Sequence, residues 1–282
     1  MKILIAPEVR LFVDVEGAAL VPEAAAMREK PTLILLHGGP GFDHSGFKPT
    51  FSALADCAQI IYYDHRGHGR SDPRPREEWT LDNFADDIVR LCTALGIVKP
   101  IVLGQSFGGF VAQHYLARHP AHPAKVILSS TSPHFGLARK LAMFERLGGA
   151  NARTVAEAFW LMPNAATWAA YEQMCRPLYN PTRASNNDAA QRGNFNPEIL
   201  FSWIGSEQHA MNLLPGLAQA QCPVLVMAGE LDPVCPMEDA KNIAAALPPQ
   251  WMQCAWFSGC GHGVWRDQPD AALARLRQFI EH

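Results

Sequence analysis

Long apolar runs are missing from this chain of 282 residues: the longest, around Thr32–Leu36, has strand length, whereas a membrane-spanning helix needs about 20 residues. Positive charge is not in excess either. Lys and Arg number 24 against 27 Asp and Glu, a net charge of −3 without a dense basic stripe, so neither a nucleic acid nor a membrane is an expected partner. No two of the 7 cysteines form a CxxC pair, and their number is odd. That excludes a disulfide framework and a cysteine zinc site as first readings and suits a reduced, cytoplasmic chain with cysteines as small apolar fillers. The opening MKILIAPEVRLF meets Pro7 and Glu8 after a single Lys and four apolar residues, too soon for a secretory signal. Internal repeats and low-complexity tracts are absent. What is abundant is apolar content: 48% hydrophobic against 18% charged residues supports a sizeable core of one or two compact units.

The apolar residues come in two rhythms. Thr32–His37, Ile60–Asp64, Ile101–Gln105, Val126–Ser130 and Val224–Ala228 are near-continuous apolar runs of strand length, as expected of strands buried on both faces of a parallel sheet. Helical spacing is read over Phe47–Ala58, Leu81–Leu95, Phe107–Arg118, Met237–Leu247 and Pro269–Ile280, with Thr80 as an N-cap for the second. Strands alternating with helices imply right-handed crossovers and a doubly wound α/β sheet. Val9–Val15 is expected to add an antiparallel strand, paired with Lys2–Ile5. Between about Ser132 and Pro215 the strand runs stop; apolar residues keep helical spacing, and separators such as NPTRASNND are turn-rich. The expected organisation is a core of residues 1–131 and 216–282 with a helical cap, 132–215, inserted.

The chemistry-bearing motifs fall at the ends of the expected strands. Gly104-Gln105-Ser106-Phe107-Gly108 follows a strand directly and opens a helix. A serine on so tight a turn adopts strained backbone angles, small neighbours relieve the clash, and the first N–H groups of the helix favour a developing oxyanion. His37-Gly38-Gly39-Pro40-Gly41 ends an earlier strand and lets backbone approach a carbonyl; the N–H of Gly39 pairs with that of Phe107 as an expected oxyanion hole. A serine needs a base and the base an orienting acid. His262, in GCGHG, is the expected base, and Asp232, in GELDP, the expected acid; Glu230 is its rival. His65 and His68 precede the serine in a polar loop and are read as structural, and His37 as a brace for the oxyanion loop. His114 and His119 sit five apart, off one helical face, and with His122 are not read as metal ligands. Cys235 and Cys260 are read as packing residues. No metal or organic cofactor is expected.

HGGPG, DHRGHGRSD, GQSFGG, GELDPVCP and GCGHG together resemble the α/β-hydrolase superfamily, and within it the proline iminopeptidase-like serine hydrolases. The resemblance covers most of the chain outside the cap. It implies an α/β-hydrolase fold, a mostly parallel doubly wound sheet with an inserted helical cap. It also implies hydrolysis of an ester or amide of a small-molecule or short-peptide substrate through an acyl-enzyme. Aminopeptidases of that group usually have glycine before the nucleophile, tryptophan after it and Asp-Gln-Arg-Gly in the earlier loop; here stand Gln105, Phe107 and His65. In that group, acidic cap residues hold the substrate's amino group, which makes Glu172, in a segment with Trp168 and Tyr171, and Glu207 the candidate substrate-binding carboxylates, with Trp168 beside them. Each carboxylate has an alternative place on the wet face of a cap helix. Trp160, Trp203, Met162, Met174 and Met211 either floor an apolar pocket or form the cap's own core. Three activities stay open: an aminopeptidase, a carboxylesterase or lactonase for a small acyl substrate, and a catalytically silent binding protein on the same fold. The oligomeric state is open too.

Overall fold

The computed structural model describes residues 1–182 and 191–282; the NPTRASNND separator falls largely outside them. Eight strands form the central sheet in the order β1-β2-β6-β5-β7-β8-β9-β10. The antiparallel pair β1 (Lys2–Ala6) and β2 (Val9–Glu16) begins the sheet, and β2 joins β6 (Gln59–Tyr63), also antiparallel. From there β5 (Thr32–Leu36), β7 (Ile101–Gln105), β8 (Lys125–Ser129), β9 (Val224–Gly229) and β10 (Met252–Phe257) run parallel. Successive strand residues face opposite sides. Ile34, Leu36, Val102, Leu128 and Val226 pack under α1 (Leu81–Leu95) and α2 (Phe107–Arg118). Leu33, Leu35, Leu103, Ile127 and Leu225 pack against the C-terminal helix Pro269–Glu281. Both faces are covered, which is why these strands read as unbroken apolar runs.

The chain leaves β5 for β6 on one side of it and reaches β7 on the other. This reversal opens a crevice at the carboxyl ends of β5 and β7, the usual place for a ligand on an open α/β sheet. After β8 the chain goes helical. Leu137–Leu161 (α3) is broken at Gly149, whose φ is +78°; α4 (Ala165–Met174) and α5 (Pro197–Ile204) follow, with short turns at Glu207–Ala210 and Leu214–Leu217 before β9. Asn164 caps α4 in a capping box with Thr167. As expected, the Thr80 side chain caps α1, accepting from Asn83 N–H at 3.3 Å.

One expectation needs correction, and one element was not foreseen. Phe47–Ala58 is not an α-helix but two 3-10 segments, His44–Phe47 and Thr50–Leu54. Phe47, Phe51, Leu54 and Ala58 are buried as the spacing suggests, yet the acceptors and donors of a longer helix are engaged elsewhere. The Lys30 ammonium donates to Ala55 O at 2.6 Å, and Gln59 N–H goes to Pro31 O at 2.9 Å. A second small sheet, β3 (Leu20–Glu23) with β4 (Ala26–Glu29), was not legible. Its residues are mostly exposed and carry no apolar alternation.

Helix α2 sits so close to the sheet that glycine is required on both sides of the turn between β7 and α2. A Cβ on Gly104 would run into Gly108 O, and one on Gly108 into Leu36 O. Backbone must move to admit either methyl, so Gly108→Ala is expected to lower stability by about 1–3 kcal/mol. For a chain of this size that lowers Tm by roughly 2–10 °C; a thermal unfolding curve identical to the parent's would refute the close approach.

Candidate active site

Ser106 occupies the turn at the end of β7 with φ +55° and ψ −116°, a conformation that L residues adopt only under constraint from their surroundings. The constraint is visible. Ser106 N–H donates to Ser129 O on β8 at 3.1 Å, and Ser106 O accepts from Gly109 N–H and from the Thr131 hydroxyl, each at 2.9 Å. Gly109 leaves room for Thr131, which a Cβ there would overlap. Ser106 is 7% exposed, beneath the rim and not at the surface.

Asp232 and His262 meet at the same rim from the loops after β9 and β10. The buried Asp232 carboxylate lies 2.9 and 3.1 Å from His262 Nδ1. Its Oδ1 also accepts from the N–H groups of Val234 and Cys235, both at 2.8 Å. An acid so held is aligned and acceptor-only, so the imidazole proton belongs on Nδ1 and Nε2 carries the lone pair. Gln105 Nε2 stands 3.3 Å from that lone pair and donates to it, while Gln105 Oε1 lies where a side chain on Gly38 would go. Gln105 thus wedges between the HGGPG loop and the imidazole, a contact that the motif spacing gave no means of anticipating. The rival acid Glu230 faces outward, accepting from Ser258 Oγ at 2.7 Å and Gly259 N–H at 3.3 Å, and these two bonds lower its pKa.

The loop carrying His262 is tied down on three sides. Gly263 N–H donates to Ser130 Oγ at 2.9 Å, Gly261 N–H to Asp267 at 2.7 Å, and His262 N–H to the carbonyl of Tyr179, a residue of the inserted segment, at 2.6 Å. The HGGPG loop is tied to the same segment: Asn196 N–H donates to Gly41 O at 2.7 Å, and Asn194 to Asp43 at 2.9 and 3.1 Å. Gly39, at φ +129°, lies against Phe42. Phe107 is fully buried with Trp203 edge-on at 5.1 Å. Ser130, Tyr179, Asp267 and Trp203 are the supporting residues that lie far from the serine in sequence and have no motif of their own.

The inserted carboxylates are placed differently from the expectation that they face a substrate ammonium. Glu172 is exposed on α4, because Trp168 and Tyr171 take the buried side of that helix. Glu207 is half-buried but accepts from Leu81 N–H, at the first turn of α1, at 3.3 Å. Burial raises its pKa, partly offset by that bond. Trp168 packs with Phe159, Tyr171 and Phe195 at 5.2, 5.9 and 5.4 Å, within the insertion's own core. Trp160, Trp203 and Met211 are buried, whereas Met162 and Met174 are exposed. Burial pushes the Cys235 thiol up to about 12 and that of Cys260 to about 11, which leaves both as unreactive packing residues.

His114 and His119 face Asp82 and Asp86 on α1 at 2.6 and 2.8 Å, and His122 meets Tyr115 Oη at 2.5 Å. Among the described residues no group of His, Cys, Asp or Glu is arranged to hold a metal ion. His37, His65 and His68 form a buried stack behind the HGGPG loop, with ring centroids 4.3–5.7 Å apart. His37 Nε2 accepts from His65 N–H at 3.1 Å, which leaves Nδ1–H to donate to Gly38 O at 2.9 Å. The ring thereby fixes the glycine loop in the neutral tautomer.

Burial holds the pKa of His37 low, that of His65 well below the ordinary value and that of His68 at about 3. In the unfolded chain all three titrate near 6.5. Below about 6.5 the unfolded chain therefore binds protons that the folded chain refuses. The stability these rings permit is complete above that pH and declines on acidification. The expected slope is up to about 1.4 kcal/mol per pH unit for each ring. His68→Asn should make urea unfolding less pH-dependent between pH 6.5 and 4.5; an unaltered dependence would mean that His68 does not contribute.

Residues 31–265 match the family model of the alpha/beta hydrolase fold, and the chain belongs to that family. Among curated proteins it is similar to the proline iminopeptidase PfmaB of Pestalotiopsis fici, 26% identical over 281 residues that cover 96% of this chain and 99% of the relative. Among solved structures it resembles a proline iminopeptidase from Mycobacterium smegmatis, with TM-score 0.77 and 23% identity, covering 100% of this chain and 97% of that one. It also resembles the esterase RhEst1 from Rhodococcus sp. ECU1013, with TM-score 0.69 and 23% identity, covering 100% and 98%. The two structural likenesses span the inserted helices as well as the sheet. No helix of the described residues is long and apolar enough to cross a membrane.

Proposed function

We propose that the chain is a serine hydrolase cleaving an ester or amide of a small molecule or short peptide, most like a proline iminopeptidase, with the helical cap 132–215 selecting the substrate in a cytoplasmic setting. The observation that carries this reading is the buried Asp232–His262 pair at 2.9 Å, joined through Gln105 at 3.3 Å to the turn that holds Ser106 at φ +55°. Ser106 Oγ attacks the carbonyl carbon as His262 Nε2 takes its proton. Backbone N–H groups of Gly39 and Phe107 receive the oxyanion. The imidazolium, stabilised by Asp232, protonates the leaving group, and water then releases the acid from the acyl-enzyme by the same steps. Gln105 holds the Nε2 lone pair in the resting site, so its amide must turn aside as the serine engages.

A carboxylesterase or lactonase acting on a small acyl substrate is the second reading. It is favoured by the exposure of Glu172 and by the engagement of Glu207 with Leu81, which leave neither as a free, desolvated partner for an ammonium.

A fluorophosphonate probe should label the wild-type chain and not Ser106→Ala; labelling of both would remove Ser106 from the mechanism, and labelling of neither would favour the binding-protein reading. Asp232→Asn should lower kcat about 10⁴-fold by favouring the wrong tautomer. Proline p-nitroanilide against p-nitrophenyl acetate separates peptidase from esterase. Removing the Gln105 donor frees His262 Nε2 for the serine. Gln105→Ala should then react with the fluorophosphonate faster than the wild type, and an unaltered labelling rate would show that the amide does not act on the base.

A further inference from the structure

Among the described residues, two arginines near the candidate site have no carboxylate opposite them. Arg176, just past α4, lies over the rings of Phe42 and Tyr179, 5.7 and 4.9 Å from their centroids. Phe42 crowds Gly39; the Tyr179 ring stands edge-on to His262 at 5.3 Å, and its carbonyl holds the His262 N–H. One guanidinium therefore spans the glycine loop and the loop of the base. Arg266 follows His262 by four residues, with its Nε beside Gly263 and its outer nitrogen facing Gly46.

Among the described residues neither arginine forms an ion pair. By contrast, Arg66, Arg70 and Arg74 all meet carboxylates within 2.8 Å. Asp267, the acid nearest Arg266 in sequence, has its oxygens engaged by Asn180, Thr182 and Gly261. Arg266 is exposed to solvent. Desolvation by nearby protein, then the charge of Arg176, lowers its pKa to about 10 against the opposing pull of Asp267. Two cations near enough to oppose each other are unfavourable together until an anion arrives.

We infer that Arg176 and Arg266 form an anion subsite and that the substrate carries a carboxylate seated there, an inference that rests on the serine hydrolase reading for its catalytic part. Two guanidiniums offer the paired N–H donors that a carboxylate accepts, and they repel a substrate ammonium.

The test uses two matched pairs of esters. In the first the carboxylate is on the acyl side, p-nitrophenyl hydrogen glutarate against p-nitrophenyl valerate; in the second it is on the leaving group, p-acetoxybenzoate against phenyl acetate. In at least one pair the wild type should prefer the anionic member. The ratio of the two kcat/KM values should fall about tenfold or more in Arg176→Gln/Arg266→Gln, with part recovered in Arg176→Lys/Arg266→Lys. No anionic preference in either pair, or a ratio unmoved by the glutamine variants, would overturn the subsite. Calorimetric titration of glutarate, against its neutral diamide, into Ser106→Ala protein judges the subsite without turnover. Binding of glutarate alone, weakened about tenfold by the two Gln changes, supports it; equal binding of both compounds, or of neither, refutes it. Ester hydrolysis that survives Ser106→Ala would sink the serine mechanism and leave the titration to decide the subsite.

Discussion

The backbone of Ser106 cannot hold its φ of +55° by local preference, and the rest of the site is arranged around the contacts that hold it there. A strand neighbour, a helix amide and a threonine hydroxyl satisfy both of its peptide groups. Glycines at 104 and 108 remove the side chains that would keep α2 away from the sheet. Strain at one residue thus persists because packing on both sides over-determines it. The same close approach points the first turn of α2, with its unsatisfied N–H groups, toward the carboxyl edge of the sheet.

Around that turn the core and the inserted helices share one hydrogen-bond frame. Tyr179 O holds the backbone of His262, and Asn194 and Asn196 hold the loop of Gly39 through Asp43 and Gly41. The segment that would recognise a substrate therefore also sets the positions of the base loop and the glycine loop. A change in the inserted helices is consequently felt in the positions of both loops.

Charge is distributed unevenly across this frame. Behind the glycine loop stand three buried rings that burial keeps neutral, giving that loop a rigid support without a fixed charge. Between the glycine loop and the loop of His262 stand Arg176 and Arg266, without a counter-ion among the described residues. The acids that the resemblance makes candidate ammonium binders are turned to solvent, in Glu172, or to the start of α1, in Glu207. The anion subsite inferred for the two arginines would set the rim against an ammonium and so weigh toward the esterase or lactonase reading.

Local pattern determined most of the frame. Continuous apolar runs marked the parallel strands because both faces of the sheet are covered, and glycines around Ser106 and His262 marked the strand ends because only small residues allow such turns. Chain order set Asp232 ahead of Glu230 as the expected acid; in the structure Asp232, and not Glu230, lies against the imidazole. Tertiary structure decided what depends on partners distant in sequence. The segment after Phe47 stops short of an α-helix because Lys30 takes its carbonyl, and Glu172 turns outward because Trp168 and Tyr171 claim the buried side of α4. Gln105 reaches His262, and Arg176 spans two loops, only once residues more than a hundred positions apart are folded together. Spacing encodes which face a residue occupies; which side chain from another element meets it there is settled by packing alone.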